Sequence, residues 1–395
     1  MTEKLYYQDS HLKEFTAQVI SCEWDEKQGS YGVVLDRTVF FPEGGGQYAD
    51  AGVLEGITVE DVQEKEDVIT HYIKEPLKEG AMISGQIDYS ERFSKMQQHT
   101  GEHIVSGLVS RHFGYNNVGF HLGKELVTMD FNGSLTREQL RMIEQEANEA
   151  VVANIPVQVD YPSKAELEKL DYRSKKELAG QVRIVTVPGY DVCACCAPHV
   201  VLTGEIGIIR LVDGTKYKGG TRVTMVCGFR ALADYYIKEE NILDISHQLS
   251  AKPYEVAEAV KRLQKEVQQE KDKLFRMETR YLELKRKELT GRQPGSGSDN
   301  AEAENILLFE EEIDKNAARR FVDTGMHEFP GICGIFIGND EKGYQYILGS
   351  QNVNMREFLK EFHKAFLGKG GGKAEMVQGT VSGSRLSLEN FFATK

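Results

Sequence analysis

Two short segments of this chain hold residues able to bind a metal. His99-Thr100-Gly101-Glu102-His103 sets two imidazoles four residues apart, a spacing that stacks both on one face of a helix. Far downstream, Cys195-Cys196-Ala197-Pro198-His199 adds a thiolate and a third imidazole in a turn. One chelating pair from each of two segments, mixing sulfur with nitrogen, suits tetrahedral zinc. A lone i, i+4 His pair is common decoration of helices. The crowding of Cys193, Cys195 and Cys196 into four positions is not, because only Cys22, Cys227 and Cys333 are left for the rest of the chain.

Three other segments could contact a ligand. Phe41-Pro42-Glu43-Gly44-Gly45-Gly46-Gln47 offers backbone amides where three glycines permit close approach, although a plain hairpin tip has the same composition. Arg210, Lys216, Lys218, Arg222 and Arg230 form a basic stretch interrupted only by Asp213, able to receive phosphate or to be simply solvated. Near the end, Lys369-Gly370-Gly371-Gly372-Lys373 sets point charges beside bare backbone, which would admit a sugar-phosphate chain; the plainer expectation is a flexible loop.

The elements that must position these residues follow from apolar periodicity. Residues 18–83 alternate apolar and polar in short runs broken by Gly and Asp, which predicts a small β-barrel or sandwich. Residues 91–113 read as the helix carrying the His pair, with Met96, Ile104, Leu108 and Phe113 for its buried side. A second helix starts after Gly133-Ser134-Leu135-Thr136 and repeats Leu140, Ile143, Ala147 and Val151 at helical spacing. Strands are predicted at 157–160, 182–187, 206–212 and 222–226. Residues 252–286 carry a heptad seam, Val260, Val267, Leu274 and Tyr281 with Val256, Leu263, Met277 and Leu284, broken once by Glu270. It would pack on a neighbouring helix or on a second copy of the chain. Pro294-Gly295-Ser296-Gly297-Ser298 marks a linker.

The expected class is α+β, with a mainly antiparallel sheet around the metal segments. The expected division is a β-barrel domain with the glycine-rich loop at 1–90, a zinc-containing α/β domain at 91–240, a coiled helical segment at 241–290, a flexible linker at 291–304 and a C-terminal α/β domain at 305–395. At 395 residues and 40% hydrophobic, the chain is long enough for several cores. The first seven residues hold no apolar signal core and no apolar span suits a membrane, so the chain is expected in the cytoplasm, its six cysteines reduced rather than forming a disulfide framework. A net charge of −13 does not exclude a nucleic-acid partner, because the excess sits in residues 1–250, with 25 Lys+Arg against 38 Asp+Glu, whereas residues 251–300 hold 12 against 9.

Taken in order, the glycine-rich loop ending in Gln47, HxxxH at 99–103, CxxxH at 195–199, the coiled segment and the triple-glycine tail at 370–379 resemble the long-type AlaX alanyl-tRNA editing proteins. These are free-standing relatives of the editing half of alanyl-tRNA synthetase with a C-terminal DHH-associated domain. The resemblance covers nearly the whole chain. It implies one Zn2+ per chain on His99, His103, Cys195 and His199. The commoner second half in that family is Cys-Gly-Gly-Thr-His; here it is Cys-Cys-Ala-Pro-His, so Cys193 and Cys196 compete with Cys195 for the role.

The resemblance further implies hydrolysis of the ester joining serine, and also glycine, to the 3′ end of tRNA(Ala). Gln47, Thr100, His121 and Arg222 are its candidate catalytic residues, and Lys216, Lys218, Lys369, Gly371 and Lys373 its candidate tRNA contacts. A homodimer through the helical and C-terminal regions is implied as well. Two rival readings stand beside this one. A closed Cys/His set also suits a non-catalytic zinc-stabilised tRNA-binding module. The H-x-x-E-H pattern of 99–103 also matches inverted zinc metalloproteases, with Glu102 as general base.

Overall fold

A computed structural model describes residues 1–174, 181–291 and 305–394. The chain divides into two compact units, Met1–Ile242 and Leu243–Lys395. The expected linker lies, beyond Gly291, outside the described residues.

In the first unit, six strands hydrogen-bond in a closed ring: β1 (Glu14–Asp25), β2 (Ser30–Leu35), β3 (Gly52–Leu54), β4 (Ile57–Lys65), β5 (Val68–Ile73) and β6 (Met82–Ile87). The order is β1-β2-β5-β4-β3-β6, with β6 pairing back to β1, every pair antiparallel. Period-2 alternation explains the closure. Along β5 and β6 every second residue is buried, and Ile69, Ile73, Ile83 and Ile87 meet Ala17, Val19, Val33, Leu35, Leu54 and Val62 inside.

Helix α1 (Tyr89–Phe113) follows directly. Asp88 caps it by accepting the Glu91 amide at 3.1 Å, and Gly114, at φ 68°, ends it in the left-handed conformation. Almost every residue from Arg92 to Val109 is buried. A helix covered on all sides presents side chains in several directions at once, so this one serves as the post of the unit.

Strands β7 (Asn117–Leu122) and β8 (Val127–Phe131), helix α2 (Arg137–Ala153), and strands β9 (Gln158–Asp160), β10 (Ile184–Val187) and β11 (Asp191–Ala194) come next, then β12 (Ile209–Tyr217) and β13 (Gly220–Cys227). A four-stranded antiparallel sheet, β12-β13-β8-β7, and a three-stranded one, β9-β10-β11, flank α1. Thr136 and Gln139 form the capping box at the start of α2. Its Leu140, Ile143, Ala147 and Val151 join Met96, Ile104 and Leu108 of α1 and Met129, Val223 and Met225 of the sheet in one core. The chain leaves the unit along α3 (Gly228–Gln248).

The second unit contains α4 (Val256–Gly291) and a five-stranded sheet. Its elements are β14 (Ile306–Glu310), α5 (Lys315–Glu328), β15 (Cys333–Asn339), β16 (Gly343–Gly349), α6 (Met355–Ala365), β17 (Leu367–Gly372), β18 (Met376–Ser382) and α7 (Arg385–Ala393). The strand order is β14-β15-β16-β18-β17, antiparallel except for β14 with β15. The triple glycine is thus an edge strand rather than a flexible loop. A Cβ on Gly370 or Gly379 would lie 2.2 or 2.6 Å from the Tyr346 hydroxyl, so these two positions make room for the Tyr346–His363 pair.

The heptad row that packs inside this unit is Phe275, Leu282 and Leu289, set against Ala317, Phe321 and Val322. The expected seam is out of phase with it. Val267, Leu274, Met277 and Leu284 remain exposed, Met277 at 70%. Among the described residues no helix is long and apolar enough to cross a membrane.

Candidate metal centre

Helix α1 carries His99 and His103 one turn apart, and the segment after β11 carries Cys195 and His199 to meet them. The ligand atoms of all four lie within 4.8 Å of one another. Cys195 Sγ is 3.5 Å from His99 Nε2 and 3.4 Å from His199 Nε2. Donors about 2.0–2.3 Å from a tetrahedral centre stand roughly 3.5 Å apart, so the spacing fits zinc. All three imidazoles are at least 96% buried, where unpartnered polar groups would be costly.

What surrounds the four residues also suits a metal. His99 Nδ1 lies 3.1 Å from Gln47 Oε1, and His199 Nδ1 lies 3.1 Å from Thr100 Oγ1. His103 Nδ1 is 2.9 Å from Asp191 Oδ2, in a bent rather than linear contact. His99 and His199 thus each have one nitrogen engaged by an outer partner and the other available to the centre, the arrangement of metal-bound histidines, and His103 has a carboxylate beside its Nδ1.

The electrostatics separate the three clustered cysteines. Burial pushes the Cys195 thiol up, but the His99 and His199 rings and hydrogen bonds from His103 and His199 outweigh it and hold the thiol well below its ordinary range. Burial leaves Cys193 and Cys196 raised. Burial also pushes His199 down to about 3, the neutral form a metal requires. For His103, burial acts downward, and Cys193, Asp191 and Cys195 together overcome it and raise the ring. Cys196 points elsewhere, its sulfur 3.7 Å from a Cβ built on Gly45.

The glycine-rich loop covers one side. Gly46 has φ 84°, and a Cβ there would sit 2.9 Å from the Phe120 carbonyl, so loop and β7 can touch only at glycine. Leu122 donates its amide to the Gly46 carbonyl at 3.0 Å. A cleft of about 360 Å³ results, lined by Glu43, Gln47, Tyr48, His121 and Lys124 among others. Gln47 belongs to both places. Its Oε1 faces His99, while its Nε2 is buried with no hydrogen-bond partner.

The loop is fastened to α1 below the histidines. Asp50 pairs with Arg92, Nε at 2.9 Å, and with Lys95 at 3.3 Å, all three side chains at most 1% exposed. Lys95 also donates to the Ala49 carbonyl at 2.6 Å and lies over the Tyr48 ring.

The structure brings together some of the expected site residues and not others. His121 lines the cleft, exposed. Thr100 is fully buried behind His199. Arg222 is drawn into a bidentate pair with Asp130 directly across the β8–β13 ladder, at 2.6 and 2.7 Å, and stacks on Tyr217. It is not part of the cluster. Lys216 and Lys218 are at the β12–β13 turn, whereas Arg210 pairs with Glu144, and Arg230 bonds Ser94 and the Gly123 carbonyl. Glu102 accepts hydrogen bonds from Ser106 and Asn117, both at 2.7 Å, inside the core. Asp191, Asp50 and Lys95 were not foreseen. Only the alternation of Asp191 and Cys193 along β11, running on to Cys195 just beyond it, could have hinted at the first.

The donor set makes a candidate metal centre, and three segments of the chain match domains of aminoacyl-tRNA synthetases. Residues 182–224 match the threonyl and alanyl tRNA synthetase second additional domain, residues 2–91 match the class II (A) tRNA synthetases, and residues 303–393 match the DHHA1 domain. The alanyl-tRNA editing protein AlaX-L of Pyrococcus horikoshii is 29% identical across 96% of this chain and 95% of its own length. The alanine–tRNA ligases of Ignicoccus hospitalis and Halobacterium salinarum are 33% and 35% identical across 68% and 66% of this chain, which spans only 30% of either. A crystal structure of the C-Ala domain from Aquifex aeolicus alanyl-tRNA synthetase matches 22% of this chain at 19% identity and a TM-score of 0.20, too low to compare folds. Across nearly its whole length the chain is similar to a long-type AlaX alanyl-tRNA editing protein.

Proposed function

We propose that this protein is a zinc-dependent trans-editing hydrolase that removes serine, and with it glycine, from mischarged tRNA(Ala) in the cytoplasm. The observation that carries the reading is Gln47, whose amide joins the buried His99, His103, Cys195 and His199 cluster to the open cleft.

Water adds to the ester carbonyl carbon, the bond to the ribose oxygen breaks, and that oxygen takes up a proton, giving free amino acid and tRNA. Zinc would be held by His99, His103, Cys195 and His199, and would supply Lewis acidity only if one of these four donors gave up its place. Gln47 Nε2, a buried donor with no protein acceptor, suits the carbonyl oxygen as negative charge develops there. A donor that also requires the serine hydroxyl as partner disfavours alanine, which leaves it unsatisfied. Thr100 acts behind His199, and exposed His121 and Lys124 suit the terminal nucleotide at the mouth of the cleft.

Lys216 and Lys218 on one unit, and Lys369 and Lys373 flanking Gly371 on the edge strand of the other, are the proposed tRNA contacts. A second copy of the chain is the proposed cover for the exposed Val267, Leu274, Met277 and Leu284 row. Glu102, engaged by Ser106 and Asn117, is poorly placed as a protease base. The test is deacylation of Ser-tRNA(Ala) by chelator-treated and zinc-restored protein. Activity that returns with zinc supports the hydrolase. Tight tRNA binding with no deacylation in either form would favour the binding module.

A further inference from the structure

Gln47 and Thr100 account for the outer nitrogens of His99 and His199, which leaves His103. Its Nδ1 meets Asp191 Oδ2 at 2.9 Å, and Arg173 grips the same carboxylate, Nε to Oδ1 at 2.6 Å and Nη2 to Oδ2 at 2.8 Å. Asp191 is only 1% exposed at its side chain. Its approach to α1 depends on Gly107, one turn beyond His103, where a Cβ would lie 2.2 Å from the Tyr190 carbonyl and 2.9 Å from Asp191 itself. Arg173 is in turn fixed by backbone. Its amide donates to Val192 O at 2.8 Å, and its carbonyl accepts from the Ala194 amide at 2.9 Å, which lays it beside β11.

We infer that Asp191 is a positioning residue of the metal centre, holding the His103 proton on Nδ1 so that Nε2 is presented to the ion, with Arg173 and Gly107 fixing the carboxylate. This rests on the metal-centre reading above. Asp191 and Cys193 also form, with His103, a second cluster of potential ligands. The guanidinium already occupies both carboxylate oxygens and brings a positive charge to that spot, so Asp191 orients a ligand and is not one. A ligating histidine that loses such an outer carboxylate typically loses 10–100-fold in metal affinity, on the order expected here.

The experiment measures zinc stoichiometry and affinity of the full chain by chelator competition, for the wild type, Asp191→Asn and Cys193→Ser. One zinc per chain, bound roughly 10–100-fold more weakly by Asp191→Asn and unchanged in Cys193→Ser, is the expected result. Unchanged affinity in a folded Asp191→Asn would overturn the inference, as would a second zinc lost with Cys193→Ser. Should Asp191→Asn not fold, long-range proton–nitrogen spectra of the zinc-loaded wild type decide. A His103 proton on Nδ1 supports the inference and one on Nε2 overturns it. A wild type that binds zinc normally leaves the editing reading intact whatever the variant does, whereas a wild type that binds none defeats both.

Discussion

Gln47 Oε1 stands 3.1 Å from His99 Nδ1, so the glycine-rich loop is tied to the helix that carries the His pair by a residue that also lines the cleft. The two ends of one amide thus have separable tasks. Gln47→Glu keeps an acceptor for His99 and removes the donor. Zinc should stay bound while kcat for Ser-tRNA(Ala) deacylation falls on the order of 100-fold, the usual cost of losing one donor to a developing oxyanion. Single-turnover kinetics with metal analysis on the same sample checks this; full activity would remove Gln47 from the reaction.

The loop's anchor is a buried charge cluster, and breaking it should be expensive. Asp50→Ala leaves the Arg92 guanidinium and the Lys95 ammonium without their carboxylate at sites closed to solvent. A loss of about 3–5 kcal/mol in unfolding free energy of the first unit is expected, read from urea titrations at pH 7.

His71 gives the barrel a pH dependence. Its Nδ1 faces the Val33 carbonyl at 3.1 Å and its Nε2 the Thr38 hydroxyl at 2.8 Å, so the neutral ring is satisfied inside the barrel. Burial, opposed only weakly by the Val33 carbonyl, pushes its pKa from 6.5 down to about 4. The unfolded chain takes up this proton near pH 6.5 and the folded chain only near 4. The stability contribution is therefore complete above 6.5 and lost as the pH falls from 6.5 to 4, amounting to roughly 3 kcal/mol. His71→Gln should flatten this part of the stability profile between pH 7 and 4.5, and an unchanged slope would contradict it.

Much of the first unit was legible in the sequence because its signals are local. The Thr136–Gln139 capping box announced α2, and the alternation across 18–83 announced a barrel or sandwich. The His pair and the cysteine segment announced the centre. What could not be read depends on distant partners. Asp191 gains meaning only beside His103, 88 positions earlier, and Arg222 looked like part of a basic stretch until Asp130 appeared across the ladder. Helix α4 has two apolar rows with the same seven-residue period, and only α5 decides that Phe275, Leu282 and Leu289 form the covered one.

The lysines beside the triple glycine should act as point charges. Lys369→Ala and Lys373→Ala should each weaken tRNA binding at low salt and reduce the slope of log affinity against log salt by about 1. Filter binding at several salt concentrations tests this. A slope unchanged in both variants would place the tRNA elsewhere.

The central claim is hydrolysis at a required Cys/His centre. The most direct measurement follows Ser-tRNA(Ala) and Ala-tRNA(Ala) side by side with zinc-loaded protein and with a Cys195→Ala, His199→Ala variant. Rapid loss of serine alone, abolished in the variant, is the predicted result. Survival of both esters with folded, zinc-loaded, tRNA-binding protein would contradict it.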